Sequence, residues 1–297
     1  MAAQRPSTLQ RAEELAAALP SLLVAAERVA TTVAQGVHGR RRIGQGDTFW
    51  QFRPYQPGDP AQRIDWRQSA KSQRLFVREH EWEAAQSVWL WRDNSPSMHY
   101  RSSRDLEEKG ARADLLFLAL ASLLMHSGEH VAFLGEAYPP SRGRAVLARM
   151  AESMLRAKPS AENVPPAEPL PRHAQMVLFG DFLGPFGEIE ATVRSYAARG
   201  VAGHLMQVFD PAEETFPFSG RILFEGLEEE GSALINRTER VRGEYRARLL
   251  VRREDLTALA RKHDWTYTVH HTDRPPQSAL LALYGALARL PEARAYE

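Results

Sequence analysis

The stretch Trp89-Leu90-Trp91-Arg92-Asp93-Asn94-Ser95-Pro96-Ser97-Met98 decides the architecture. β-Favouring residues run through 87–92 and stop at an acidic, Ser-rich turn, the pattern of a strand that ends abruptly. Working outward, the periodicity alternates. It predicts helix over 111–126, strand over 131–135 and helix over 145–157, then a Pro-rich loop over 159–172. Strand 176–179, helix 188–199 and strand 204–209 follow, with a hairpin pairing 221–225 and 233–236. A long helix over 239–263, a strand over 265–270 and a closing helix over 278–290 complete the pattern. Strands alternating with helices of this length predict an α/β fold, a mainly parallel sheet with helices on both faces.

The residues before this pattern differ. An apolar stripe over 8–35 reads as one or two helices broken at Pro20. Residues 36–80 are rich in Gly, Arg and aromatics, and nine basic against four acidic side chains give them a local charge of +5. The expected division is an N-terminal helical and irregular extension, 1–83, and an α/β domain, 84–297. Within the extension, Pro57-Gly58-Asp59-Pro60 reads as a turn, an N-cap and a first helical position. A short helix carrying Arg63, Asp65, Trp66 and Arg67 should follow.

The chemistry concentrates at the strand tip. Asp93, Ser95 and Ser97 have a spacing of two, and a chain curling over a strand end brings such side chains to one point. Hard oxygen donors of this kind suit Mg²⁺ or Mn²⁺. A second apolar strand, Met176–Phe179, runs on through Gly180 into Asp181. If the two strands are neighbours, Asp93 and Asp181 face each other where open α/β sheets bind ligands. The plainer reading leaves Asp93 capping a turn and Asp181 capping the next helix. Arg92 needs an acid or solvent. His270 and His271 point to opposite faces of a strand and cannot chelate jointly.

Composition excludes other chemistry. The 297 residues contain no cysteine, so thiol catalysis, disulfides and thiolate metal sites are absent. The net charge of +1 gives no global sign of nucleic-acid binding. Only four of the 38 basic residues are Lys: Lys71, Lys109, Lys158 and Lys262. The most apolar stretch, 115–125, is too short to span a bilayer. No membrane insertion and a cytoplasmic location are therefore expected. Neither a phosphate loop nor a nucleophile-elbow or zinc-helix motif occurs.

Asp93-x-Ser95-x-Ser97-Met98 with Asp181 on a later strand resembles the metal-ion-dependent adhesion site of von Willebrand factor type A domains. The upstream block Arg53-Pro54-Tyr55-Gln56-Pro57-Gly58-Asp59 … Arg63-Ile64-Asp65-Trp66 resembles the signature of the bacterial "domain of unknown function 58" family. Phe209-Asp210-Pro211-Ala212-Glu213 and Thr272-Asp273 are similar to that family too. The resemblance covers about residues 35–290. It implies a von Willebrand factor A-like fold, a divalent cation (Mg²⁺ or Mn²⁺) on Asp93, Ser95, Ser97 and Asp181, and a MoxR-type AAA+ ATPase partner. The adhesion site ordinarily adds a threonine, and none occurs between Thr48 and Thr192. Either Ser160 or Asn163 replaces it, or that ligand is absent.

Two functions follow as expectations. The first is a non-enzymatic interaction or adaptor module, with Tyr55, Arg63, Trp66 and Arg67 as partner-binding residues, since aromatics and Arg dominate interfaces. The alternative is a metal-dependent phosphoester hydrolase. Against the alternative, no His or Lys general base lies close in sequence to the site.

Overall fold

Elements are numbered in chain order. The strand predicted over 87–92 is β3 (Ser87–Arg92), buried from Val88 onward. The computed structural model describes residues 22–34, 49–54, 66–71, 75–80, 87–160, 162–172, 174–227 and 231–287. β3 lies inside a five-stranded parallel sheet with β4 (His130–Phe133), β5 (Gln175–Gly180), β6 (Ala202–Phe209) and β9 (Thr266–His271), in the order β4-β3-β5-β6-β9. The chain steps outward from β3 to β4, returns to β5 on the other side of β3, and continues to β6 and β9. Strand order therefore reverses between β3 and β5, the place where a doubly wound sheet opens a crevice.

Alternation along β3 builds two cores. Val88 and Leu90 face a cluster with α3 (Lys109–His126), α4 (Arg144–Arg156) and α8 (Pro276–Leu287). Trp89 and Trp91 face the other side, against α5 (Phe186–Ala197) and the C-terminal part of α7 (Thr238–Lys262). α3 is buried almost all round because the sheet covers one side and other helices the rest. One of these is α1, described over 22–34, whose Ala26, Val29, Ala30 and Val33 join the same core. Each fully buried Leu or Phe in α3 contributes about 1.5–3 kcal/mol. This is the α/β architecture with helices on both faces expected for a von Willebrand factor A-like fold.

Two compact units divide the chain: Arg40–Gln86, and the α/β unit, to which α1 belongs. The first holds an antiparallel pair, β1 (Phe49–Pro54) with β2 (Phe76–His80), and a short helix, α2 (Trp66–Ser69). The Ser69 hydroxyl accepts from the Phe76 N–H at 2.9 Å and ties α2 to β2. The sequence reading missed this pair because its strands are more than 20 residues apart, too far for a hairpin signal. Of the expected helix, Trp66 and Arg67 lie on α2, while Asp59, Pro60, Arg63 and Asp65 fall outside the described residues.

Beyond β6 come a short helix, α6 (Pro211–Thr215), and the predicted hairpin, β7 (Ile222–Glu225) with β8 (Ser232–Ile235). Among the described residues, no helix is long and apolar enough to cross a membrane.

Candidate functional site

Because β3 and β5 pair in parallel with Arg92 opposite Phe179, their tips end level. The Asp93 N–H donates to the Phe179 carbonyl at 2.7 Å. Asp93 and Asp181 are thus neighbours at the switch point, and Ser95 and Ser97 curl over them. Ser97 Oγ donates to Asp181 Oδ2 at 2.8 Å, and Ser95 Oγ lies 2.9 Å from Ser97 Oγ. The four side chains named from the sequence are brought together. The plainer reading holds for Asp93, which closes a turn, but not for Asp181, which closes a turn of its own and leaves α5 to start after Pro185 with no side-chain cap. Asp93 Oδ1 accepts from the Ser95 N–H at 2.8 Å, and Asp181 Oδ1 from the Leu183 N–H at 3.1 Å.

Gly180 leaves the room this needs. A Cβ there would sit 3.0 Å from the Asp93 Cβ and 3.3 Å from its Oδ2. Gln207, on β6, donates to the Asp181 carbonyl at 2.6 Å and accepts from Tyr267 at 2.6 Å, which pins the β5 tip from behind.

The residue that sequence reading passed over is Lys109, in the first turn of α3. Its Nζ donates to Asp181 Oδ2 at 2.9 Å and to Glu213 Oε1 at 2.7 Å, and the side chain is 1% exposed. Glu213 arrives from the β6 tip through a capping box on α6. Asp210 accepts from the Ala212 N–H at 2.8 Å, and Glu213 Oε2 from the Asp210 N–H at 2.9 Å. Asp210 also accepts from the Ser102 N–H at 2.8 Å. Burial by itself would lower the Lys109 pKa, but the Asp181 and Glu213 carboxylates outweigh it and hold the group above its ordinary value. Burial raises the Glu213 pKa, and Lys109 partly offsets this.

The donor set has the oxygen chemistry of a Mg²⁺ site, but its charge position is filled. A Mg²⁺ ion about 2.1 Å from Asp181 Oδ2 would share that oxygen with an ammonium 2.9 Å away. The two cations would stand no more than about 5 Å apart. Relative to an uncharged side chain at 109, a dication is opposed by roughly 7 kcal/mol at an effective dielectric of about 20. That exceeds the ~4 kcal/mol of a millimolar site. With Lys109 in place, the residues do not fit a divalent ion. Ser160 reaches the β3 tip through its N–H, which donates to the Asn94 carbonyl at 3.0 Å, while its hydroxyl accepts from the Glu162 N–H at 3.1 Å. Asn163 lies against Gly184.

The remaining sequence readings sort as follows. Arg92 finds its acid: Nε lies 2.7 Å from Asp114 Oδ1 on α3, and Nη2 donates to the Met154 carbonyl at 3.1 Å. His270 lies 3.2 Å from Arg112, and His271 pairs with Glu214, so the two histidines diverge. Trp66 is 64% exposed and Arg67 is exposed. Tyr55 and Arg63 lie outside the described residues. No local pattern in the sequence pointed to Lys109. Lys109 is one of four lysines in a chain whose cations are nearly all Arg; the other three are exposed, so scarcity alone did not single it out.

Comparison with known proteins gives a match to the family described as "Protein of unknown function DUF58" over residues 51–255. An uncharacterized protein of Mycobacterium bovis and one of Mycobacterium tuberculosis are each 26% identical over 234 residues. The match covers 72% of this chain and 71% of the relative. Among solved structures, an aerotolerance-related membrane protein from Bacteroides fragilis is similar at 16% identity and a TM-score of 0.42, over 69% of this chain and all of that one. The conserved hypothetical protein BatB from Bacteroides thetaiotaomicron is similar at 16% and 0.41, with the same coverage.

Proposed function

The chain belongs to the DUF58 family, and from that premise we propose that it is a non-enzymatic interaction module that holds a protein partner. One observation carries this reading. At the switch-point crevice, most groups able to do acid–base or nucleophilic chemistry are buried and hydrogen-bonded within the protein, and the half-buried Ser97 and Glu213 are bonded to Asp181 and Lys109. Asp93, Ser95, Lys109, Asp181 and Asp210 are each at most 2% exposed. A substrate needs a reachable base or nucleophile, and these five are turned inward. Surface of the type interfaces use is available instead: Trp66 and Arg67 on α2 are open. The partner implied by the family resemblance is a MoxR-type AAA+ ATPase.

The test is affinity purification of the tagged full-length protein from its host, in buffer containing a chelator. The expected outcome is co-purification of an AAA+ ATPase, reduced by Trp66→Ala or Arg67→Ala while the melting temperature stays within a few degrees. Purified protein should not hydrolyse ATP or generic phosphoesters above background. Turnover that is lost in Asp93→Ala would replace the adaptor reading with the hydrolase.

A further inference from the structure

Carboxylates from three adjacent strand tips converge at the crevice: Asp93 from β3, Asp181 from β5, and Asp210 with Glu213 from β6. Such a concentration of buried negative charge calls for a cation. We propose that the cation is part of the chain, the ammonium of Lys109 standing in for the divalent ion that an adhesion-type site would hold.

Placement supports this first. Lys109 Nζ reaches Asp181 Oδ2, the same oxygen that accepts from Ser97, so the ammonium adjoins the Asp93-Ser95-Ser97-Asp181 cluster at the point of strand reversal. A second contact, to Glu213, spans two strand tips, as a bridging ion would. The helix itself gives no reason for a lysine here. Lys109 sits in the first turn of α3, the positive end of the helix dipole, where a cation is disfavoured. The residue is held there by what it reaches across the crevice.

Two consequences follow. The crevice is locked whatever the metal supply, and no open coordination position exists through which a partner's carboxylate could be captured. Neither depends on the adaptor reading, which concerns a different surface.

The experiment uses the full-length protein and two readouts: Mn²⁺ binding by paramagnetic resonance of free Mn²⁺, and melting temperature with chelator against millimolar Mg²⁺ or Mn²⁺. Wild type should bind no Mn²⁺ at submillimolar concentration and melt at the same temperature in both buffers. Lys109→Met, similar in length and uncharged, should melt lower in chelator, recover with Mn²⁺, and bind Mn²⁺ roughly tenfold or more tightly than wild type. Submillimolar Mn²⁺ binding by wild type that disappears in Asp93→Ala overturns the proposal. So does a folded Lys109→Met that gains no Mn²⁺ affinity. If Lys109→Met does not fold in either buffer, the wild-type measurement decides alone.

Discussion

Asp181 divides its carboxylate between two duties. Oδ1 closes the turn to Leu183, and Oδ2 receives both Ser97 and Lys109. Removing it strands a buried ammonium on Glu213 alone and leaves a hydroxyl and an amide without their acceptor. Breaking a buried pair from one side costs about 3–5 kcal/mol, so Asp181→Ala should lose that much in urea unfolding. Ser97→Ala removes one neutral-to-charged hydrogen bond and should cost about 1–3 kcal/mol. Both losses should be the same with and without chelator. At this scale the sequence was informative about the acids and hydroxyls, because a spacing of two at a strand end is a local pattern. Lys109 lies 72 residues before Asp181, and only the docking of α3 beside the β5 tip brings those two together.

Between elements, the tightest fit is where β6 meets the turn from α7 into β9. The indole of Trp265 lies directly on Gly203: a Cβ added there would fall 2.2–2.3 Å from ring atoms. The ring cannot swing aside cheaply, because it is buried and its Nε1 donates to the Val201 carbonyl at 3.0 Å. Overpacking of a core ordinarily costs about 1–3 kcal/mol, and with the indole pinned, Gly203→Ala should reach or exceed the top of that range. Denaturant unfolding of the variant checks this; a loss under about 1 kcal/mol would mean the indole moves freely. The long helix α7 behaves differently along its length. Its C-terminal part is buried through Leu256, Leu259 and Ala260. Its N-terminal part is held by Tyr245, packed on Phe216, and by Arg242, which donates to the Phe216 and Phe218 carbonyls at 2.9 and 2.7 Å.

For the molecule as a whole, acid sensitivity has a nameable source. Burial lowers the His204 pKa to about 4, and burial followed by Arg112 and His271 lowers that of His270 to about 4. Each stays neutral in the folded chain while it charges in the unfolded one. Their contribution is therefore complete above pH 6.5, the ordinary histidine value, and is lost as pH falls from there towards 4. The slope is up to about 1.4 kcal/mol per pH unit for each. His204→Gln should flatten the pH dependence of urea-unfolding stability in that window by about one proton; an unchanged slope would remove His204 as a source. What the sequence determined by itself was the fold class and the four residues of the strand-tip cluster. Periods of 2 and 3.6 and the chemistry of a turn are set within a few residues of chain. Tertiary structure decided which strands are neighbours, that Arg92 pairs with Asp114, and that Lys109 supplies the positive charge at the crevice. Those outcomes depend on burial and on charges up to 104 residues apart in sequence, and a side chain acquires such partners only when whole elements dock.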